Sequence, residues 1–266
     1  MTAERRGEPT KLSDLADSMR ALLARIKESP PAAPSADRFC PTCRKTRGIS
    51  MPGANLCWDC GPSLEARLRA AGVPESDIGF RLTDTPAWVS MRIPEIAAAA
   101  AALARHVDAG FPRSVYLYGK TGTGKSALEA ATLAYAAAQA KPWTVRYVWI
   151  PRMLRRLRSR MDDSGESERE IFEEVTASRL VALDELGTKA DASAYGSQVV
   201  FEAIEERRQR GRPIIATGNL TPEQLRDRVD DDSGAAERVF SRMQEWLSVP
   251  LGEFDLRGVP MEARHG

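Results

Sequence analysis

Residues 119–126, GKTGTGKS, have the GxxxxGK[ST] spacing of a phosphate-binding loop. The segment follows the apolar run SVYLY and precedes a helix-forming stretch, which is the context that such a loop requires. Glycines let several backbone amides turn toward phosphate oxygens, and the start of the next helix adds partial positive charge. Lys125 is predicted to reach the terminal phosphates and Ser126 to ligate magnesium. The alternative interpretation is a glycine-rich turn with an unrelated lysine.

An acidic pair follows another apolar run, in the segment LVALDELG at residues 180–187. Ligands of parallel α/β sheets bind at the carboxyl ends of the strands, where this pair would lie. Asp184 would hold the magnesium there, and Glu185 would polarise the water that attacks in an in-line phosphoryl transfer. Without the glycine loop, the pair would be better explained as a surface turn after a strand. The predicted nucleotide contacts are Gly119, Lys120, Thr121, Gly122, Thr123, Gly124, Lys125, Ser126, Ala127 and Asp184.

A third polar residue, Asn219, ends the run PIIATGN. At a strand tip beside the nucleotide, its amide would position the attacking water from the other side. An asparagine after a strand is by itself more often a turn or cap residue. The prediction that Asn219 takes part in catalysis with Glu185, Lys125 and an arginine therefore depends on the other two motifs.

Apolar runs alternate with helical patterns around these motifs. The runs lie at residues 115–118, 145–150, 180–183, 213–216 and 246–250. The helical patterns lie at residues 64–70, 93–107, 125–140, 152–177, 195–210 and 235–243. Alternation of this kind indicates an α/β fold with a five-stranded, mostly parallel sheet between helices.

The four cysteines form two CxxC pairs, Cys40 with Cys43 and Cys57 with Cys60. In a reducing compartment, two such pairs with a short loop between them predict a closed, structural zinc site of four thiolates. Redox chemistry or unliganded thiols are the alternatives. About 25 residues bury little apolar area, so metal binding would supply most of the folding free energy of this module.

Composition excludes several classes of protein. The net charge of +1 gives no global basic field for nucleic acid, so any such contact must be local. The longest apolar run is too short to span a membrane, and the N-terminus lacks the apolar core of a signal peptide. We therefore expect a cytoplasmic protein.

With these motifs in order, residues 80–257 resemble the DnaC, DnaI and IstB group of AAA+ ATPases, which includes helicase loaders and a transposase helper. The resemblance rests on YLYGKTGTGKS, LVALDELG, IIATGNLTPEQL, and ERVFSRM followed by GEFDLR. It implies ATP as the ligand, an ATP-dependent oligomer, and an arginine that reaches the neighbouring subunit's nucleotide. That arginine would be Arg242, with Arg238 as the second choice; alternatively, both belong to a solvated helix face with Glu237 and Glu245.

The family also carries an additional helical element associated with single-stranded DNA. Here it corresponds to PRMLRRLRSRMDD, in which four arginines follow helical spacing: Arg152, Arg155, Arg156 and Arg160. Arginines on one face can follow phosphates in a salt-sensitive way that does not depend on sequence. A charged, solvated face is the alternative, because no aromatic residue is interleaved for base stacking.

The resemblance also bears on the N-terminus, because some loaders carry an N-terminal zinc module that docks on the replicative helicase. We expect an amphipathic helix at residues 1–28, a linker at 29–37, the zinc module at 38–65, the ATPase domain at 80–257 and a tail at 258–266. Little chain follows Arg257, so we expect no helical lid. Basic residues between the cysteine pairs equally permit a small DNA-binding module.

The leading hypothesis is an ATP-dependent loader that places a replicative hexameric helicase on single-stranded DNA. The alternatives are an IstB-like helper of a transposase on duplex DNA, and a binding module in which the ATPase acts as a switch with negligible turnover.

Overall fold

The structure is a computed structural model and describes residues 63–83, 94–139, 142–159, 168–188, 193–228, 235–252 and 255–256. We number the elements in chain order. The helices are α1 (Leu64–Ala70), α2 (Pro94–Asp108), α3 (Lys125–Ala137), α4 (Ile150–Ser159), α5 (Glu168–Thr176), α6 (Ala194–Gln209), α7 (Pro222–Arg228) and α8 (Ala235–Met243), with a 3-10 turn at Glu75–Asp77. The strands are β1 (Val115–Tyr118), β2 (Val145–Trp149), β3 (Leu180–Leu186), β4 (Ile214–Gly218) and β5 (Leu247–Pro250).

All five strands pair in parallel, in the order β2-β3-β4-β1-β5. This confirms the α/β sheet predicted from the alternating pattern. Because the strands are parallel, their carboxyl ends meet at one edge, where Tyr118 pairs with Gly218 and Trp149 pairs with Asp184. Both motifs identified from the sequence therefore come to the same edge of the sheet.

Helices cover both faces of the sheet and divide its core in two. Side chains alternate between the faces of a strand, so Leu180 and Ala182 pack into one cluster while Val181 and Leu183 pack into the other. The first cluster contains α1, α2 and α3, and the second contains α4, α5, α6 and α8. Burial on both faces explains why the strands are nearly continuous apolar runs.

The largest difference from the predicted elements concerns residues 152–177, which were predicted as one helix. The chain forms two helices there, α4 and α5. The predicted second strand also ends one residue early, at Trp149, because Ile150 is fully buried as the first residue of α4. The third strand is longer than predicted and continues through the acidic pair to Leu186.

A buried arginine connects α5, α6 and the starts of two strands. Arg207 of α6 is fully buried, and its guanidinium donates to the backbone carbonyls of Val175, Ser178, Arg179 and Pro213. Burial lowers the pKa of Arg207 to about 9, so the side chain keeps its charge at neutral pH. The four carbonyls take the place of a carboxylate partner.

Some predictions concern residues outside the described part of the chain. They are the N-terminal helix, the linker, the zinc module with Cys40, Cys43, Cys57 and Cys60, Arg160, Arg257 and the tail. Among the described residues, no helix is long and apolar enough to cross a membrane.

Candidate functional site

The glycine loop joins the end of β1 to the start of α3. Three of its glycines have left-handed backbone angles, with φ of 152° at Gly119, 90° at Gly122 and 84° at Gly124. Residues that carry a side chain rarely adopt these backbone angles, which explains why each position is a glycine. Helix α3 begins at Lys125, so the amides of its first turn lack intrahelical acceptors and are available to phosphate oxygens. Residues 119–127 thus join β1 to α3 in the context that the motif requires, and their contact with a nucleotide stays a prediction.

Lys125 is held across its own loop. Its side chain is 8% exposed, and Nζ donates to the carbonyls of Gly119 at 2.8 Å and Lys120 at 2.7 Å. The Thr123 hydroxyl donates to the Lys120 carbonyl at 2.9 Å and lies 3.4 Å from Nζ. These contacts fix the ammonium group at the mouth of the loop, beside the amides that would bind phosphate.

Asp184 lies on β3 opposite the loop and accepts hydrogen bonds from three hydroxyl groups. Ser126 donates to Oδ1 at 3.0 Å, Thr217 of β4 donates to the same oxygen, and Tyr147 of β2 donates to Oδ2. Asp184 is 7% exposed, so these donors stabilise a carboxylate that has lost most of its water. The Ser126 hydroxyl and the Asp184 carboxylate supply the oxygen ligands that magnesium prefers.

Glu185 is exposed and has a left-handed backbone, with φ of 64°. The register between β3 and β4 shifts at this point, between Leu183 and Leu186. The Glu185 amide donates to the Thr217 hydroxyl at 3.2 Å, and its carboxylate accepts from the Trp149 indole at 2.7 Å. A non-glycine residue with this angle is strained, and such strain persists where neighbouring contacts hold it, most often at functional sites.

Thr217, Tyr147 and Trp149 were not identified from the sequence as site residues. Thr217 is the polar member of a buried strand, and its hydroxyl serves both Asp184 and the Glu185 amide. A polar side chain inside the run PIIATG was the available signal for Thr217. Tyr147 and Trp149 lie on β2, which carries no nucleotide motif, so their roles depend on sheet order, which the sequence did not provide.

A fully buried carboxyl group lies near this site on α3. Glu129 has no hydrogen-bond partner for either carboxyl oxygen among the described residues. Burial, followed by the nearby charges of Asp184 and Asp77, raises the pKa of Glu129 well above its ordinary value. Burial also raises the pKa of Tyr147, with further contributions from Glu129 and Asp184. Burial and the nearby charges both favour the protonated form of Glu129.

Asn219 follows β4 immediately and is exposed at the strand tip. The position agrees with the sequence prediction, since Gly218 pairs with both Tyr118 of β1 and Leu186 of β3. Within the described ranges, Asn219 makes no hydrogen bond. Its role in catalysis stays a prediction.

The arginines of α4 differ in their surroundings. Arg156 is half-buried and shares Glu174 of α5 with Arg146, at 3.0 Å and 2.6 Å. Arg152 and Arg155 are exposed and have no ion pair with any residue that the structure describes. The Arg155 guanidinium lies 5.2 Å from the centre of the Trp149 ring, and Trp149 is 39% exposed.

A cleft of about 780 Å³ connects α4 with the acidic site, and Ser126, Asp184, Trp149 and Arg152 are among its lining residues. Arg152 and the Glu185 partner Trp149 thus line the same cleft as Ser126 and Asp184.

The two α8 arginines contact α6. Arg242 donates to Glu205 at 2.7 Å, and hydrogen bonds from Arg208 and Arg242 lower the pKa of Glu205 to about 2. Arg238 donates to Gln198 at 3.0 Å and lies over the Phe201 ring. The trans-acting role of Arg242, with Arg238 as the second choice, stays a prediction.

The described residues contain no group of three or more His, Cys, Asp or Glu side chains arranged for a metal ion. The four predicted zinc ligands lie outside the described residues, so the zinc site stays a prediction.

Comparisons with known proteins bear on the same region. A family model described as IstB-like ATP binding protein matches residues 102–245. The replicative helicase loader DnaI of Bacillus subtilis (strain 168) is 25% identical over 150 residues, which cover 54% of this chain and 47% of that relative. The chain thus matches about half the length of this relative.

Two solved structures have a similar fold. The crystal structure of DnaI gives a TM-score of 0.56 at 22% identity, with 67% of this chain and 93% of that chain covered. The crystal structure of the DnaC helicase loader gives 0.52 at 20% identity, with 67% and 99% covered. At these identities the structural likeness establishes the fold alone.

Proposed function

Because the chain belongs to the family of IstB-like ATP-binding proteins and is a P-loop AAA+ ATPase of the DnaC/DnaI/IstB type, we propose a function in DNA replication. We propose that it loads a replicative DNA helicase onto single-stranded DNA. The observation that carries the proposal is the match to a replicative helicase loader, DnaI. In this proposal, ATP hydrolysis takes place between subunits and controls assembly and release of the helicase.

The chemistry assigned to each residue follows from its surroundings. Lys125 and the first-turn amides of α3 bind the phosphates, while Ser126 and Asp184 hold a magnesium ion. When bound, that ion neutralises phosphate charge. Glu185 is the exposed carboxylate beside this group, so it accepts the proton of the attacking water, and Asn219 orients the water from the tip of β4.

Arg242 is the proposed trans-acting arginine. A guanidinium that stabilises the transition state in a neighbouring site makes hydrolysis depend on assembly. In the single subunit, this side chain forms an ion pair with Glu205 at 2.7 Å. Arg238 is the alternative, because it lies one turn earlier on the same helix.

Mixing two inactive variants tests this assignment. Arg242→Ala keeps a complete phosphate-binding loop, and Lys125→Ala keeps the arginine. If Arg242 acts in trans, the mixture regains ATPase activity, because interfaces form that contain Lys125 from one subunit and Arg242 from the other. An inactive mixture, together with recovery when Arg238→Ala replaces Arg242→Ala, would transfer the role to Arg238.

Single-stranded DNA is proposed to bind along α4 through Arg152 and Arg155, with Arg160 in the part of the chain that is not described. Arg156 contributes less, because its guanidinium is engaged with Glu174. Trp149 supplies the exposed aromatic ring that residues 152–161 lack, and stacking on such a ring is worth about 1–3 kcal/mol per base.

The salt dependence of DNA binding tests the two exposed arginines. Each phosphate contact that is lost should reduce the slope of log K against log salt by about 0.7 for single strands. Arg152→Ala and Arg155→Ala should each reduce the slope by this amount. Arg210 is an exposed arginine at the C-terminal end of α6, so Arg210→Ala should leave the slope unchanged. Equal slopes for all three variants would contradict the assignment to α4.

The helicase contact is assigned to the zinc module at residues 38–65, together with the N-terminal helix. Metal analysis of protein purified without added metal should give about one zinc per chain, as a four-thiolate site requires. A metal-free protein in which residues 38–65 are folded would contradict the zinc assignment.

A second candidate function is an ATPase that assists a transposase on duplex DNA. The IstB-like description of the matching family favours it. The two functions differ in the DNA they use, so competition between single-stranded and duplex DNA of equal length separates them. Preference for the duplex, without any effect on helicase transfer, would support the second function.

Helicase transfer to a circular single strand tests the first function. The parent protein with ATP should increase the amount of helicase bound to the circle, and Lys125→Ala should not. Helicase that reaches the circle equally well with and without this protein would contradict the loader function.

A further inference from the structure

The chain beyond β5 runs back along the phosphate-binding loop. We call its described residues, Leu251, Gly252, Asp255 and Leu256, the C-terminal strap. The Leu251 amide donates to the Tyr118 carbonyl at 2.7 Å, just before the loop. The Leu256 amide donates to the Gly122 carbonyl at 2.9 Å, in the middle of the loop. The strap is therefore hydrogen-bonded to the last residue of β1 at one end and to the loop backbone at the other.

The strap also lies against the three loop glycines that have left-handed backbone angles. A Cβ added at any of them would meet a different strap residue: the Leu251 carbonyl at Gly119, the Asp255 carboxylate at Gly122, and Leu256 Cδ1, 3.0 Å away, at Gly124. Gly119 is thus required by the close approach of the strap backbone as well as by its own backbone angle, whereas Gly122 and Gly124 contact the ends of strap side chains.

Leu256 connects the loop to the core. Its side chain is half-buried and packs with the cluster that contains Ile96 of α2, whose Cδ1 lies 3.6 Å from the same added Cβ at Gly124. The loop is consequently enclosed between β1 and α3 on one side and the strap with α2 on the other.

We propose that the strap is the outer wall of the nucleotide site and that Leu256 and Asp255 are positioning residues for ATP binding. A glycine-rich loop has many conformations, and ordering it around a phosphate costs conformational entropy. Hydrogen bonds and packing that fix the loop in the folded protein remove much of that cost before ATP arrives, so affinity rises. The proposal rests on the phosphate-binding loop being the ATP site.

The contribution of Leu256 can be measured against a matched leucine. Leu247 is also half-buried and packs on the same cluster, but it lies at the opposite end of β5 from the loop. Leu256→Ala should raise the Kd for a fluorescent ATP analogue about five- to tenfold, and Leu247→Ala should change it less than about twofold. Both should lower the melting temperature, and Leu256→Met should bind like the parent protein.

The contact between Asp255 and Gly122 can be tested by rescue. Gly122→Ala should weaken ATP binding about thirtyfold, through overlap with the carboxylate and the angle of 90°. Asp255→Ala in the same chain should recover at least about threefold by making room. Asparagine has the same size as aspartate, so Asp255→Asn should recover none of the lost ATP affinity. This variant separates the effect of steric overlap from the effect of the negative charge.

The outcomes distinguish a failure of the proposed strap role from a failure of the ATP-site assignment. A parent protein that fails to bind the ATP analogue would show that the loop is not the ATP site. If the parent binds, equal Kd values for Leu256→Ala and Leu247→Ala would overturn the positioning role. Recovery by Asp255→Asn as large as that by Asp255→Ala would overturn the proposed contact.

Discussion

Thr217→Val removes the hydroxyl group that joins both acidic residues of the site. In the parent protein this hydroxyl donates to Asp184 and accepts the amide hydrogen of Glu185. Valine has nearly the same shape and makes neither bond. Thr217 is 1% exposed, so water cannot readily replace the lost partner.

The expected loss of stability follows from the two bonds. A hydrogen bond to a charged group contributes about 1.5–3 kcal/mol and a neutral one about 0.5–1.5 kcal/mol. The additional buried methyl group of valine offsets about 0.8 kcal/mol. The net loss is about 1–4 kcal/mol, which lowers the melting temperature by about 2–16 °C for a domain of this size.

Catalysis should suffer in addition to stability. The backbone of Glu185 is strained, and its amide donates to the Thr217 hydroxyl. We expect kcat for ATP hydrolysis to fall at least about tenfold, a change of about 1.4 kcal/mol in the activation free energy. The KM for ATP should change less than kcat, because Ser126 still donates to the same Asp184 oxygen and the Lys125 contacts do not involve Thr217.

Thr217→Ser is the matched control, because serine keeps the hydroxyl and loses one methyl group. Thermal unfolding and steady-state ATPase assays on both variants separate the effect of losing the hydroxyl group from the effect of changing a methyl group. A valine variant that melts within about 2 °C of the serine variant and hydrolyses ATP at the same rate would refute this reasoning.

Three further predictions concern other buried or acidic groups. Glu185→Gln should abolish measurable hydrolysis and retain ATP binding; hydrolysis at the parental rate would remove Glu185 from catalysis. Glu129 has a raised folded pKa, so the stability it contributes is present below its ordinary value of 4.5 and is lost as pH rises toward the folded pKa. Glu129→Gln should therefore flatten the fall in unfolding free energy with rising pH in that window, and an unchanged slope would contradict a neutral Glu129. Arg207→Met should lower the unfolding free energy by about 3–5 kcal/mol in denaturant titrations, because four buried carbonyls lose their donor; a loss below about 1 kcal/mol would show that they find other partners.

Local patterns were sufficient for the elements and for the residues that belong to motifs. The apolar runs predicted every strand of the sheet, because strands buried on both faces need continuous apolar residues. Glycines at left-handed positions and a lysine at the helix start placed the phosphate-binding loop, since few other residues fit there.

Long-range contacts were beyond the sequence patterns. Tyr147 contacts Asp184 because β2 pairs with β3, although the two strands are separated along the chain by α4 and α5. The strap meets the loop because β5 pairs with β1, more than a hundred residues away. Similarly, the pairing of Arg242 with Glu205 requires α8 to pack on α6, which helical spacing alone does not indicate.

The central claim is that this ATPase loads a replicative helicase, and size-exclusion chromatography with light scattering tests it most directly. The protein is mixed with the replicative DNA helicase of its own genome, with and without ATP, beside a full-length variant carrying Cys40→Ser and Cys43→Ser. We predict a stable complex for the parent protein, controlled by ATP, and none for the cysteine variant. No complex in either nucleotide state would contradict the loader function and favour the transposase helper.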